Sequence, residues 1–150
     1  MKKKTVSATL LVDLASEVVR RGGLFRFYSR GFSMLPDIGD REQVTVGAVI
    51  FSEVKLGDVL LCTTDNAPVL HRVIHKSYRS GESFLLLSSD NGDQIHRVRT
   101  ADIIGKVVDV KRSKWRMVKQ MIGSMRPVSI RPIGLISPIY KSYRSHKSYI

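Results

Sequence analysis

Leu10, Leu11, Leu14, Val18 and Val19 recur at helical spacing in TVSATLLVDLASEVVRRGG, and the paired Gly22 and Gly23 stop the pattern. The spacing predicts a short amphipathic helix over residues 8–21. The period then changes. LFRFYSR (24–30) alternates and is rich in aromatic residues, as a half-buried strand requires. After the turn-rich GFSMLPDIGD come QVTVGAVIF, DVLLCTT, APVLHRVIH and ESFLLLSS, short runs of Val, Leu, Ile and Phe separated by Gly, Asp, Asn or Pro. DIIGKVVDVKR (102–112) reads as one more strand. Short strands at this spacing, with one flanking helix, predict a mainly β domain that is compact and strongly bent.

Beyond residue 112 neither period holds. SKWRMVKQMIGSM can form a helix with Trp115, Val118 and Ile122 along one side, but Pro127, Pro132 and Pro138 interrupt the remaining residues. The expected organisation is an N-terminal helix (1–23), a β domain (24–111) and a basic, proline-interrupted C-terminal segment (112–150). KSYRS occurs at 76–80 and again at 141–145 with unrelated flanks, too little for a repeat architecture.

Charge sharpens the C-terminal boundary. The chain carries +12, yet residues 1–110 balance to +2, while residues 111–150 hold 10 Lys/Arg and no acid. Such an arm suits an anionic membrane surface, an acidic partner or nucleic acid, and equally a solvated tail. The 150 residues fit one domain, large enough to bury about two thirds of its unfolded surface. The single cysteine, Cys62, excludes an intramolecular disulfide and lies in an apolar run, as a buried thiol in a reducing compartment would.

No segment reaches the about 20 consecutive apolar residues of a membrane span. ATLLVDLASEVV is broken by Asp13 and Glu17, and MKKK is followed by neither an uninterrupted apolar stretch nor a small-residue cleavage site. The expectation is a cytoplasmic protein, able to sit peripherally at a membrane.

The candidate chemistry centres on RGFSMLPDIGD. A Gly-x-Ser-x-x-Pro turn can hold the Ser33 hydroxyl at the lip of a sheet and aim backbone N–H groups at an oxyanion. Taken alone, a serine between glycine and proline is more often a loop residue. A nucleophilic serine also needs a base. Lys55, Lys76, Lys106 and the histidines are candidates, and His71 stands in the middle of an alternating apolar strand beside Val69 and Val73. Asp90 and Asp93, in SSDNGD, could approach His71 if the two strands pair as a hairpin.

His-Arg-Val occurs twice, at 71–73 and 96–98. A metal pair of His71 and His75 is disfavoured, because four residues of strand span about 13 Å. Only Cys62 and His96 remain to complete such a site, so neither metal nor cofactor is expected. His96 follows the aspartate loop in polar surroundings and is expected at the surface.

In order, GFSMLPDIGDREQVTV, KLGDVLLC, PVLHRVI, FLLLSSDNGD and IIGKVVDV resemble the signal peptidase I and LexA-like serine peptidase superfamily over roughly residues 24–110. A histidine in His-Arg-Val, where other members place lysine, is similar to the archaeal and endoplasmic-reticulum subgroup. The resemblance implies a bent, mostly antiparallel sheet with a substrate groove. It further implies Ser33 as nucleophile, His71 as general base and Asp90 or Asp93 as the carboxylate orienting it. Gly31 and Met34 become substrate-binding positions, and the Ser33 N–H joins the oxyanion hole. The substrate is then a peptide or precursor protein that adds a strand along the groove.

Three features depart from that pattern. No membrane anchor precedes the domain, Gly31 stands where a hydroxyl residue is frequent, and Ser89 replaces the glycine before the loop aspartate. A basic tail at 112–150 could dock on anionic lipid in place of an anchor. The competing readings are a LexA-type regulatory autoprotease and a non-catalytic basic peptide-binding module. The first requires a DNA-binding domain, which the roughly 23 residues before the β domain cannot house, so nucleic acid is the less favoured partner. A histidine of ordinary pKa would lose activity below about pH 6.5, whereas a lysine base would gain toward alkaline pH.

Overall fold

The computed structural model describes residues 7–65, 67–79 and 81–112. The predicted helix around Trp115 and the rest of the basic C-terminal segment lie outside these residues. The described residues form one compact unit. It consists of a helix α1 (Ala8–Arg20) and strands β1 (Phe25–Tyr28), β2 (Gln43–Gly47), β3 (Val59–Thr64), β4 (Ala67–Arg79), β5 (Glu82–Ser88), β6 (Ile95–Arg99) and β7 (Ile103–Lys111). Short 3-10 turns at Phe51–Glu53 and Thr100–Asp102 complete it.

The Ser7 hydroxyl caps α1 by accepting a hydrogen bond from the Leu10 N–H at 3.2 Å. Gly22, with φ +78°, carries the chain out of the helix in the left-handed conformation, and the Gly23 N–H returns to the Val18 carbonyl at 2.9 Å. The helix buries Ala15 and Val19 among Val44, Val46 and Leu61. It therefore belongs to the core of the β unit.

The seven strands form one sheet in the order β1-β2-β7-β3-β4-β5-β6, antiparallel at every junction. The predicted mainly β, antiparallel and bent architecture is observed. The bend is visible in the packing. Val98 of β6 shares a buried cluster with Leu60 and Cys62 of β3, although β4 and β5 separate these strands in the hydrogen-bonded order. Only a strongly curled sheet brings such strands face to face. Gly105 of β7 sits at a tight crossing, where a Cβ would come within 2.7 Å of the Gly47 carbonyl oxygen.

Two elements differ from expectation. The run QVTVGAVIF pairs only through Gly47 before the chain leaves the sheet. Residues 95–99, to which the sequence pattern assigns no element, form β6 and pair along β5, Leu87 opposite His96 and Leu85 opposite Val98.

Candidate active site

Ser33 lies on the loop joining β1 to β2, and the loop is pinned at its neck. The Ser29 N–H donates to the Glu42 carbonyl at 2.9 Å, and the Arg41 N–H donates to the Ser29 carbonyl at 2.8 Å. The buried Ser29 hydroxyl donates to the Gly39 carbonyl at 2.5 Å and accepts from the Glu42 N–H at 3.1 Å. Farther along, Gly31 takes φ +91°, which an L-residue rarely adopts, and its N–H donates to Asp40 Oδ1 at 3.0 Å.

Met34 and Ile38 plug the loop into the core beside Val44 and Val46. Leu35–Pro36 is a cis peptide. Ser33 itself is half-buried, and its carbonyl accepts from the Asn91 N–H at 3.1 Å. Among the described residues no hydrogen bond occupies the Ser33 hydroxyl or its N–H.

His71 sits in β4 opposite Leu60 of β3. It is 3% exposed, yet it lines the same cleft as Ser33, Gly31 and Met34, a cavity of about 1120 Å³. Its Nδ1 is buried without a hydrogen-bond partner. The ring stacks on His96, with centroids 5.1 Å apart and planes 26° from parallel. Burial, and then the neighbouring His96, push the His71 pKa down to about 4, while Asp90 partly opposes them. The imidazole is therefore neutral over a wide acidic range.

His96 is half-buried and its Nε2 is enclosed without a partner. This corrects the expectation of a surface residue. Alternation within IHRVR, which puts His96 on the same face as Val98, was the available signal.

The aspartates are disposed differently from expectation. Asp90 forks the guanidinium of Arg72, receiving Nε–H at 2.8 Å on Oδ1 and Nη2–H at 2.7 Å on Oδ2. Arg72 also donates to Asp37 of the serine loop at 2.6 Å and to the Gly57 carbonyl at 2.8 Å. These contacts hold its pKa above the ordinary arginine value, the Asp90 hydrogen bonds first. Asp90 thus ties the β5–β6 loop to β4 and to the serine loop, and no hydrogen bond joins it to His71. Asp93 is exposed, and its N–H donates to Asn91 Oδ1 at 3.3 Å. Arg72, the clamp, was not singled out from sequence, because its position beside His71 says nothing about which carboxylate it meets.

The lysines are placed elsewhere. Lys76 Nζ donates to the Ser52 and Val54 carbonyls at 3.0 and 2.8 Å, Lys106 pairs with Asp58 at 2.8 Å, and Lys55 is exposed. Among the described residues no lysine lines the cleft. Cys62 is buried and its thiol is pushed up to about 12, chiefly by burial, so it is not a nucleophile at neutral pH. His75 packs near Phe84, and the described residues contain no cluster of three His, Cys, Asp or Glu side chains able to hold a metal ion. Among them, too, no helix is long and apolar enough to cross a membrane. No family model and no curated protein matches the chain.

Proposed function

We propose that the chain is a serine endopeptidase in which Ser33 is the nucleophile and His71 the general base. The observation that supports it most is the shared cleft: Ser33, whose hydroxyl and N–H have no intrachain partner among the described residues, lines the same cavity as the neutral imidazole of His71. The absence of lysine from that lining favours histidine over a lysine base. In this reading the Ser33 oxygen attacks a peptide carbonyl while His71 accepts its proton, then returns it to the leaving amine. A water repeats the sequence on the acyl-enzyme. The Ser33 N–H stabilises the oxyanion in both halves. Asp90 enters as a positioning residue, fixing the loops around β4 through Arg72, and His96 provides the surface on which the His71 ring rests.

Labelling with a serine-reactive acylating probe tests the reading. Wild type should label at Ser33, and Ser33→Ala and His71→Ala should not. Equal labelling of all three proteins would exclude the peptidase reading and leave a peptide-binding module.

A further inference from the structure

The cleft has a chemical asymmetry that the acyl-transfer step does not require. The edge strand β1 pairs only with β2 among the described residues, so its other edge carries no strand. Residues of both its faces line the cleft: Phe25 and Phe27 on one side, Arg26 and Tyr28 on the other. A cavity lined by both faces of a strand with one neighbour runs along that strand's open edge. Phe25 and Phe27 stack at 6.1 Å and pack on the buried cluster, while Arg26 and Tyr28 point outward. Arg30 and Arg41 join Arg26 in the lining, against the single carboxylate of Asp40. Arg41 and Asp40 are 3.4 Å apart, and Arg26 is the cation that β1 itself brings to the lining.

We propose that this cleft binds an extended peptide in which acidic side chains alternate with apolar ones. A strand added to the β1 edge places its successive side chains on opposite faces, each beside the β1 side chain of the same face. Residues that fall on the Phe25/Phe27 face meet an apolar wall and gain by burial. Residues that fall on the Arg26 face meet guanidinium groups that receive carboxylates as fork-like donors. Main-chain hydrogen bonds to β1 supply affinity without regard to sequence, so the alternating pattern supplies selectivity. The chain's own C-terminal segment is a poor occupant: residues 111–150 carry 10 Lys/Arg and no acid, and like charges repel it from this lining. The inference rests on the peptidase reading only in taking the ligand to be a peptide.

The test uses the full chain carrying Ser33→Ala, which cannot form an acyl-enzyme. Fluorescence anisotropy would compare short labelled peptides of equal length: alternating valine and glutamate, the same with glutamine for glutamate, and the same with lysine. The glutamate peptide should bind about tenfold more tightly than the glutamine one, and the lysine peptide most weakly. About 0.5 M salt should remove most of the difference. Adding Arg26→Glu should reverse the order. Arg26→Ala, milder for folding, should bring the glutamate and glutamine peptides to parity.

Equal binding of glutamate and glutamine peptides would overturn the proposal. So would a preference unchanged by Arg26→Glu, which would assign it to the basic C-terminal segment. A scrambled peptide with its glutamates clustered should lose the advantage, and binding as tight as the alternating one would reduce the effect to net charge. Vesicles of anionic lipid added as competitor should not displace the peptide; displacement would point to a lipid surface instead. If the Ser33→Ala chain selects the glutamate peptide but wild type never cleaves it, the peptidase reading fails and the binding specificity stands.

Discussion

His71 stacks on His96 at 5.1 Å between ring centroids, joining strands that would lie two apart in a flat sheet. The contact brings a second imidazole against the candidate base, where a carboxylate was expected. Like charge beside a buried ring disfavours its protonated form, which is the second cause, after burial, of the low His71 pKa. His96→Gln removes that opposition. The His71 midpoint should then rise from about 4 toward the ordinary histidine value of about 6.5. Histidine-resolved NMR titration reads this directly, and an unmoved midpoint would assign the depression to burial alone.

The same depression sets a pH dependence of stability. An unfolded histidine takes up its proton near pH 6.5, the folded one near 4. Between these values the unfolded chain binds more protons, so the His71 contribution is complete above 6.5 and is lost as pH falls toward 4. At pH 4.5 the loss should be about 2.5 kcal/mol, at about 1.4 kcal/mol per pH unit. Urea unfolding of wild type and His71→Gln at pH 7 and 4.5 isolates it. The carboxylates titrate in both proteins, so only the difference between their pH slopes belongs to His71. The acid limb of kcat/KM should correspondingly fall closer to pH 4 than to the value of about 6.5 that an unperturbed histidine would give.

How far the sequence reveals this molecule depends on whether local chemistry or a tertiary partner decides. Strands such as VLLCTT and SFLLLS carry their burial in their own residues, and they form where expected. β6 does not: Ile95 and Val98 are its only aliphatic residues, and it becomes a strand because β5 offers a partner edge. Arg97 then lies over the Phe84 ring at 4.2 Å and pairs with Glu82 at 3.0 Å, contacts that exist only after pairing. Ser33 and His71 are visible in sequence as residue types in suggestive surroundings, but their common cleft depends on the bend. The allegiance of Asp90 was not legible at all. An aspartate near both a histidine and an arginine goes to whichever presents its donors, and Arg72 presents a fork.

That fork makes a testable claim on stability. The Arg72 side chain is 28% exposed and that of Asp90 13%, so the pair is partly shielded from water. Removing either partner leaves a charge without its counterion. Arg72→Met or Asp90→Asn should each cost about 1–3 kcal/mol. The double variant should cost less than the sum of the two, since neither charge is then left alone. Additive losses in urea unfolding would mean the two residues act separately. If Asp90 instead served His71 directly, Asp90→Asn would abolish Ser33 acylation while Arg72→Met left it intact. On the proposed peptidase reading, the Arg72 clamp between Asp90 and Asp37 predicts that both impair acylation together.

Cys62 offers an internal probe of the core on which β3 and β6 meet. It is fully buried beside Leu60, Val73 and Val98, and its thiol is pushed up to about 12. In native buffer at pH 8 an alkylating reagent should modify it only when the unit opens, and in urea at the free-thiol rate. His96→Gln, which leaves Cys62 untouched, should change this protection little. Rapid native labelling would show that the curled sheet opens locally without unfolding.

The last prediction concerns the neck of the serine loop. The Ser29 hydroxyl donates to the Gly39 and Glu42 carbonyls and accepts from the Glu42 N–H, while its backbone holds Glu42 and Arg41. Ser29→Ala keeps the backbone pair but leaves the Glu42 N–H and the Gly39 carbonyl without that partner inside the protein. The cost should be about 1–2 kcal/mol, and the loop tip carrying Ser33 should lose its fixed position relative to His71. Ser33 acylation should therefore slow under conditions where the variant is still folded by circular dichroism. Ser29→Thr retains the hydroxyl and should recover both stability and acylation. Recovery of stability without acylation would show that the neck supports the fold alone, and that Ser33 is positioned instead by its carbonyl bond to Asn91.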